Sequence, residues 1–200
     1  MNFAVRVLFL AACLAAAQSQ PGPGPQAANL QPAATPDLPA LIKQQFGATF
    51  ALQTKFPTPL ITADFDGDGV EDAVLVANST EPFPDSFAFK YTVIDPYNSY
   101  FGMSNAAQSA SFSVDDPKRN HDLLVILGAG PDGWRSATPK AKFVMINVPF
   151  DDIAVGRMLI KKDRPPIFMI RARESQLMDS TVFWDAKKKR WRWQPGDTVQ

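Results

Sequence analysis

Two periodicities organise the apolar positions of this chain. Leu38, Leu41, Ile42 and Phe46 recur at helical spacing, with Asp37 placed to cap, Pro39 suited to a first turn and Gly47 placed to end it. The pattern predicts one short helix. Beyond it the apolar residues fall in short β-rich runs bounded by turn residues: Ala73–Ala77, Phe87–Ile94, Leu123–Leu127, Phe143–Val148, Met158–Ile160 and Ile167–Ile170. The clearest hairpin comes last, Thr181–Trp184, a turn through Asp185 to Lys189, then Trp191–Trp193. Trp191 and Trp193 alternate with Arg190 and Arg192, so both indoles share one face. The expected fold class is mainly β with one short N-terminal helix.

The residues before Asp37 follow neither period. Arg6 supplies a positive start, Val7–Ala17 is an apolar run of eleven, and Ala15, Ala16 and Ala17 are small. Residues 1–17 therefore read as a secretory signal, since a membrane span needs about 20 apolar residues. Two processing routes are open: cleavage after Ala17, or lipidation at Cys13, because Leu10-Ala11-Ala12-Cys13 has the form of a lipobox. Residues 18–36 follow as a Pro-rich tether, and 18–39 hold six prolines with Asp37 as the single charge. The β-rich domain is expected over 37–200, long enough to bury a core without staples. An exported protein of the periplasm, cell envelope or extracellular space is implied.

Composition removes several function classes. With 20 basic and 20 acidic residues the formal net charge is zero, which argues against a nucleic-acid binder. One cysteine excludes an intramolecular disulfide and a Cys-rich zinc site, and one histidine leaves little for a His-based metal centre. Charge is nonetheless uneven, with eight acids and one base across residues 61–100. The basic run Lys187–Arg190 reads as a solvated hairpin turn rather than a patch for anionic lipid or nucleic acid.

The acids concentrate in Asp64-Phe-Asp66-Gly-Asp68-Gly-Val70-Glu-Asp72, where aspartates occupy positions 1, 3, 5 and 9. Like charges this close repel, so the folded loop calls for a cation. Ca²⁺ suits it, being hard, oxygen-seeking and tolerant of irregular geometry. Val70 can offer its backbone carbonyl. An EF-hand would need Glu at position 12, which is Leu75, and a helix where Ala73–Val76 reads as a strand. A haloacid-dehalogenase-type phosphatase would need Thr where Asp68 stands, and βα alternation downstream. Ala63–Asp68 also matches the catalytic Mg²⁺ loop of RNA polymerases, a far larger intracellular enzyme, and reads as convergence on a cation loop.

The pattern Asp-x-Asp-x-Asp-Gly-x-x-Asp followed by a strand resembles the calcium loop of FG-GAP/VCBS repeats, over residues 46–77. The resemblance implies Ca²⁺ held by Asp64, Asp66, Asp68, the Val70 carbonyl and Asp72. Phe46-Gly47 stands where the family's Phe-Gly pair would fall, at a longer spacing than usual, and Val76-Ala77-Asn78 replaces its Gly-Ala-Pro. Propellers need several blades, and this chain carries one good copy. A degenerate second copy is suggested where Val114, Asp116, Lys118 and Asp122 align with Asp64, Asp66, Asp68 and Asp72. The expected architecture is thus a compact antiparallel sheet or sandwich, or a partial propeller-like β domain.

Catalysis has few parts here. His121 sits between Asn120 and Asp122 in a polar turn, Asp151-Asp152 reads as the start of a turn, and Gly128–Gly133 as a loop between strands. The expectation is a non-enzymatic, calcium-stabilised interaction module binding a protein or glycan. Its membrane association would come solely through lipid on Cys13. Trp134, Trp184, Trp191 and Trp193 are candidate platforms, most of them expected in the core. The alternative is a Mg²⁺-dependent phosphatase or hydrolase using Asp64, Asp66 and Asp68.

Overall fold

Val74, Leu75 and Val76 follow one another without a polar gap, and a strand of that kind has no face to give to solvent. A computed structural model describes residues 36–79, 85–103, 120–159, 165–175 and 178–196 of the protein, and it buries this run on both sides. Helix α1 (Leu38–Phe46) leads into β1 (Phe50–Leu52), β2 (Leu60–Ala63) and β3 (Asp72–Ser79). Short helices α2 (Ser86–Phe89) and α3 (Pro96–Tyr100) flank β4 (Thr92–Ile94). Then come β5 (Asp122–Leu127), a 3-10 turn (Gly130–Arg135), β6 (Ala141–Met145), β7 (Asp152–Met158), β8 (Ile167–Arg173), β9 (Asp179–Asp185) and β10 (Arg190–Pro195).

Strand β3 organises the first sheet. β1 and β2 lie end to end along one of its edges and β5 along the other, followed by β6 and β4. The pairs are antiparallel except β4 with β6. The second sheet is the meander β7-β8-β9-β10. Alternate residues of β3 and β5 serve two cores. Val74, Val76, Leu123 and Val125 meet Ile153, Ile170, Val182, Trp191 and Trp193 of the second sheet. Ala73, Leu75, Leu124 and Ile126 meet Ile42 and Phe46 of α1. Each fully buried Leu or Ile contributes about 1.5–3 kcal/mol. The mainly β expectation is met as a sandwich: two sheets stack through a shared core, and a helix covers the outer face of one. No described helix is long and apolar enough to cross a membrane.

Local chemistry explains both agreement and departure. Asp37 caps α1 by accepting from the Ala40 N–H at 3.2 Å. The terminal hairpin pairs Trp191 with Trp184 and Trp193 with Val182, and both indoles of β10 are buried. Phe87–Ile94, expected as one strand, is instead α2 and β4, split by Lys90 in the left-handed region (φ 54°). Phe87 is left 94% exposed, a loss that a buried strand face would not tolerate. α3 went unforeseen although Asp95 caps it, accepting from the Asn98 N–H at 2.8 Å, with Pro96 behind it. Asp152 opens a strand rather than a turn, because Asp151 N–H donates to the Arg173 carbonyl at 2.6 Å and ties β7 to β8.

The secretory signal, Cys13, most of the tether, and Val114, Asp116 and Lys118 of the suggested second copy lie outside the described residues. Asp122 of that copy is described, and it is wholly buried at the start of β5. Burial pushes its carboxyl up to about 8, against a smaller opposing pull from the Ser79 backbone. A folded-state value above the unfolded one means stability is fully present below about pH 4 and drains away as pH rises towards 8. Asp122→Asn should remove that loss. Urea unfolding at pH 9 should show it more stable than the parent by on the order of a few kcal/mol. At pH 4–5 the gap should shrink or reverse, and a constant gap would contradict this.

Candidate metal centre

The acidic loop is the connection of a hairpin, since Ala63 of β2 faces Asp72 of β3. Gly67 and Gly69 both take positive φ (78° and 87°), which side chains resist, so the two glycines are what let the loop turn. The carboxylates then bind the backbone. Asp64 accepts from the N–H groups of Gly67 (2.8 Å), Asp68 (3.1 Å) and Gly69 (2.8 Å). Asp66 accepts from Asp68 N–H at 3.2 Å, and Asp68 from Val70 N–H at 2.9 Å. Asp72 reaches furthest: its Oδ2 accepts from Phe65 (2.8 Å) and Asp66 (3.4 Å), and its Oδ1 from Gly128 at 2.7 Å.

One oxygen each from Asp64, Asp66 and Asp72 lies within 4.8 Å of the other two. Ligand oxygens at 2.3–2.6 Å from one Ca²⁺ span up to about twice that distance, so these three fit a single ion. Asp68 stands outside this group. It is engaged instead by Lys140, whose Nζ donates to Asp68 Oδ2 at 2.5 Å and to Asp66 Oδ2 at 2.6 Å. Val70 enters the loop's hydrogen bonding through its N–H, which donates to Asp68. The repulsion inferred from sequence is therefore met in part by a cation of the protein itself, and nothing near the loop in sequence signals a lysine 72 residues from Asp68.

The glycine-rich segment has a structural task. It joins β5 to β6 and folds against the end of the acidic loop. Trp134 N–H donates to the Glu71 carbonyl at 2.9 Å. The Glu71 carboxylate accepts from Thr62 Oγ1 (3.0 Å), Trp134 Nε1 (2.9 Å) and Arg135 (3.1 Å). A Cβ at Gly128 would overlap the Glu71 carbonyl oxygen, and one at Gly133 would come within 2.8 Å of it. Glycine is there to allow close approach, and spacing alone could not show to what.

Charge states follow from these surroundings. Burial pushes Asp72 up to about 6 although three backbone N–H groups favour its ionised form. The Lys140 hydrogen bond draws Asp68 below the ordinary carboxylate range, and the same pairs hold Lys140 above the usual lysine value. Burial works to raise Glu71, but the donors of Thr62, Trp134 and Arg135 outweigh it and lower the group.

The other candidates disperse. His121 bonds Asn78 Oδ1 through Nδ1 at 3.0 Å and packs edge-on to Phe56 at 5.2 Å, with its pKa lowered by burial. Asn78 and Asp72 are six residues apart on β3, which places the imidazole roughly 20 Å from the loop. Trp134, Trp191 and Trp193 are no more than 5% exposed and serve the core, the place expected for most of the four, so these three offer no platform. Trp184 is half-buried and lines a cleft of about 1050 Å³ with Phe168, Phe183, Arg192, Asp64 and Asp66. Phe46 is buried under the first sheet and Gly47 (φ 98°) ends α1, so this pair closes a helix and does not enter the loop.

Compared with protein-family models, with curated proteins and with solved structures, the chain gives no match. Gly128→Ala should force Glu71 and the 3-10 turn apart and destabilise the domain by about 1–3 kcal/mol. Chemical unfolding with and without chelator would read this, and a loss below 0.5 kcal/mol would contradict the close packing.

Proposed function

We propose that the domain is an exported β-rich interaction module whose acidic loop holds a structural Ca²⁺ ion. The observation that carries this reading is the convergence of Asp64, Asp66 and Asp72 on one small volume at the junction of β2, β3 and the β5–β6 turn. Asp68 and the Val70 carbonyl complete the proposed set of ligands. The ion would neutralise the carboxylates and lock the hairpin connection, a task that needs no open coordination position. The loop joins two antiparallel strands and leads into a strand rather than a helix, which favours structural binding over phosphoryl chemistry. Extracellular modules bind Ca²⁺ with dissociation constants of ~10⁻⁴–10⁻³ M, the range expected of this site.

The partner is proposed to be a protein or glycan, with the cleft beside Trp184 as its seat, because there an aromatic wall adjoins polar groups at the loop. Export follows from the N-terminal residues, with release after Ala17 or attachment through Cys13.

Thermal unfolding of the whole protein in EDTA, then with Ca²⁺ or Mg²⁺ restored, tests the reading. At a hundred times the dissociation constant, Ca²⁺ should add about 2.7 kcal/mol and raise Tm by roughly 5–10 °C. Asp64→Asn should lose most of that gain. A flat response to both ions would contradict a structural ion, and a preference for Mg²⁺ would favour the phosphatase alternative.

A further inference from the structure

We infer that Lys140 is a tethered counter-ion of the acidic loop, which competes with the divalent ion and sets how tightly it is held. This rests on the calcium reading above and adds a residue to it.

The geometry is specific. Lys140 is pinned by its backbone, its N–H donating to the Leu127 carbonyl at 2.9 Å just before β6 begins. From there its ammonium reaches Asp66 at 2.6 Å and Asp68 at 2.5 Å. Asp66 is thus shared: it belongs to the group of three carboxylates that fit an ion, and it also receives the lysine. The Asp66 side chain is 3% exposed while that of Lys140 is 47% exposed, so the lysine closes the loop from the solvent side.

A divalent ion and an ammonium cannot both sit on Asp66 without strong repulsion at a few ångströms. Of the two, the lysine can leave, because its four-carbon stem is flexible and half in solvent. Its departure frees Asp68. That accounts for the position of Asp68 outside the group in the structure: with Lys140 in place, the fifth position of the loop is held by lysine. Exchange of Lys140 for the ion returns Asp68 to the ligand set. The loop accordingly stays folded without metal, at the cost of weaker ion binding.

Lys140→Met and Lys140→Arg, with the parent, test this through Ca²⁺ calorimetry and melting in EDTA and in Ca²⁺. The methionine variant should bind Ca²⁺ about tenfold more tightly or better. It should melt below the parent in EDTA and at or above it in saturating Ca²⁺, so the order of the two reverses. The arginine variant should stay close to the parent. A parent that binds Ca²⁺ and a methionine variant with the same affinity and the same order in both conditions would overturn the inference alone. No Ca²⁺ response in any of the three would overturn the calcium reading and the inference together. A measurement on the unaltered protein is independent of variant folding: acylation of the Lys140 amine, followed by mass spectrometry, should accelerate several-fold when Ca²⁺ replaces EDTA. An unchanged rate would overturn the inference.

Discussion

A carboxylate buried at the foot of a strand has to be met by donors, and the way Asp72 is met holds this molecule's most unusual region together. Its two oxygens take N–H groups from Phe65 and Asp66 on one side and from Gly128 on the other. One side chain thereby joins the acidic loop to the turn that connects β5 and β6. Removing the acceptor from two buried donors and a half-buried one would cost about 1–3 kcal/mol or more, so the arrangement is held far more firmly than an exposed acidic turn would be. Asp64, Asp66 and Asp68 build on that anchor by binding N–H groups within the loop. The negative charge this concentrates is the condition that Lys140, and in the proposed function Ca²⁺, both answer.

The sandwich gives the loop its rigidity. β3 is buried on both faces, with α1 over one and the β7–β10 meander over the other. The loop therefore leads directly into a strand that is confined on both faces. Trp134 extends the same logic to the other side of the loop, buried to 1% and bonded to Glu71 by both its backbone and its indole N–H. A site on such a base is suited to holding an ion in fixed geometry. Fixed geometry is what the interaction module proposed above would require.

Much of the fold was legible because it rests on local rules. The alternation of Trp191 and Trp193 with arginines placed one face of β10 in the core, and Asp37, Pro39 and Gly47 marked the bounds of α1. What local pattern could not show was a reversal forced from outside. Phe87–Ile94 reads as β-rich, yet Lys90 takes a left-handed conformation and Tyr91 is drawn into the core beside Phe46 and Phe50. The acidic loop was legible as a loop, since its glycines and aspartates carry their own turn chemistry. Its partners were not. Gly128 and Lys140 reach it only through the antiparallel pairing of β3 with β5 and β5 with β6, a relation between distant segments that no spacing along the chain encodes.

The proposed function requires that a cation complete the loop anchored on Asp72. It is tested most directly by a crystal structure of the protein grown in millimolar Ca²⁺, with diffraction collected where calcium scatters anomalously. The expected result is an anomalous peak within about 2.3–2.6 Å of oxygens from Asp64, Asp66 and Asp72, with the Lys140 ammonium withdrawn from Asp66. A loop without such a peak, and with Lys140 still bridging Asp66 and Asp68, would contradict it.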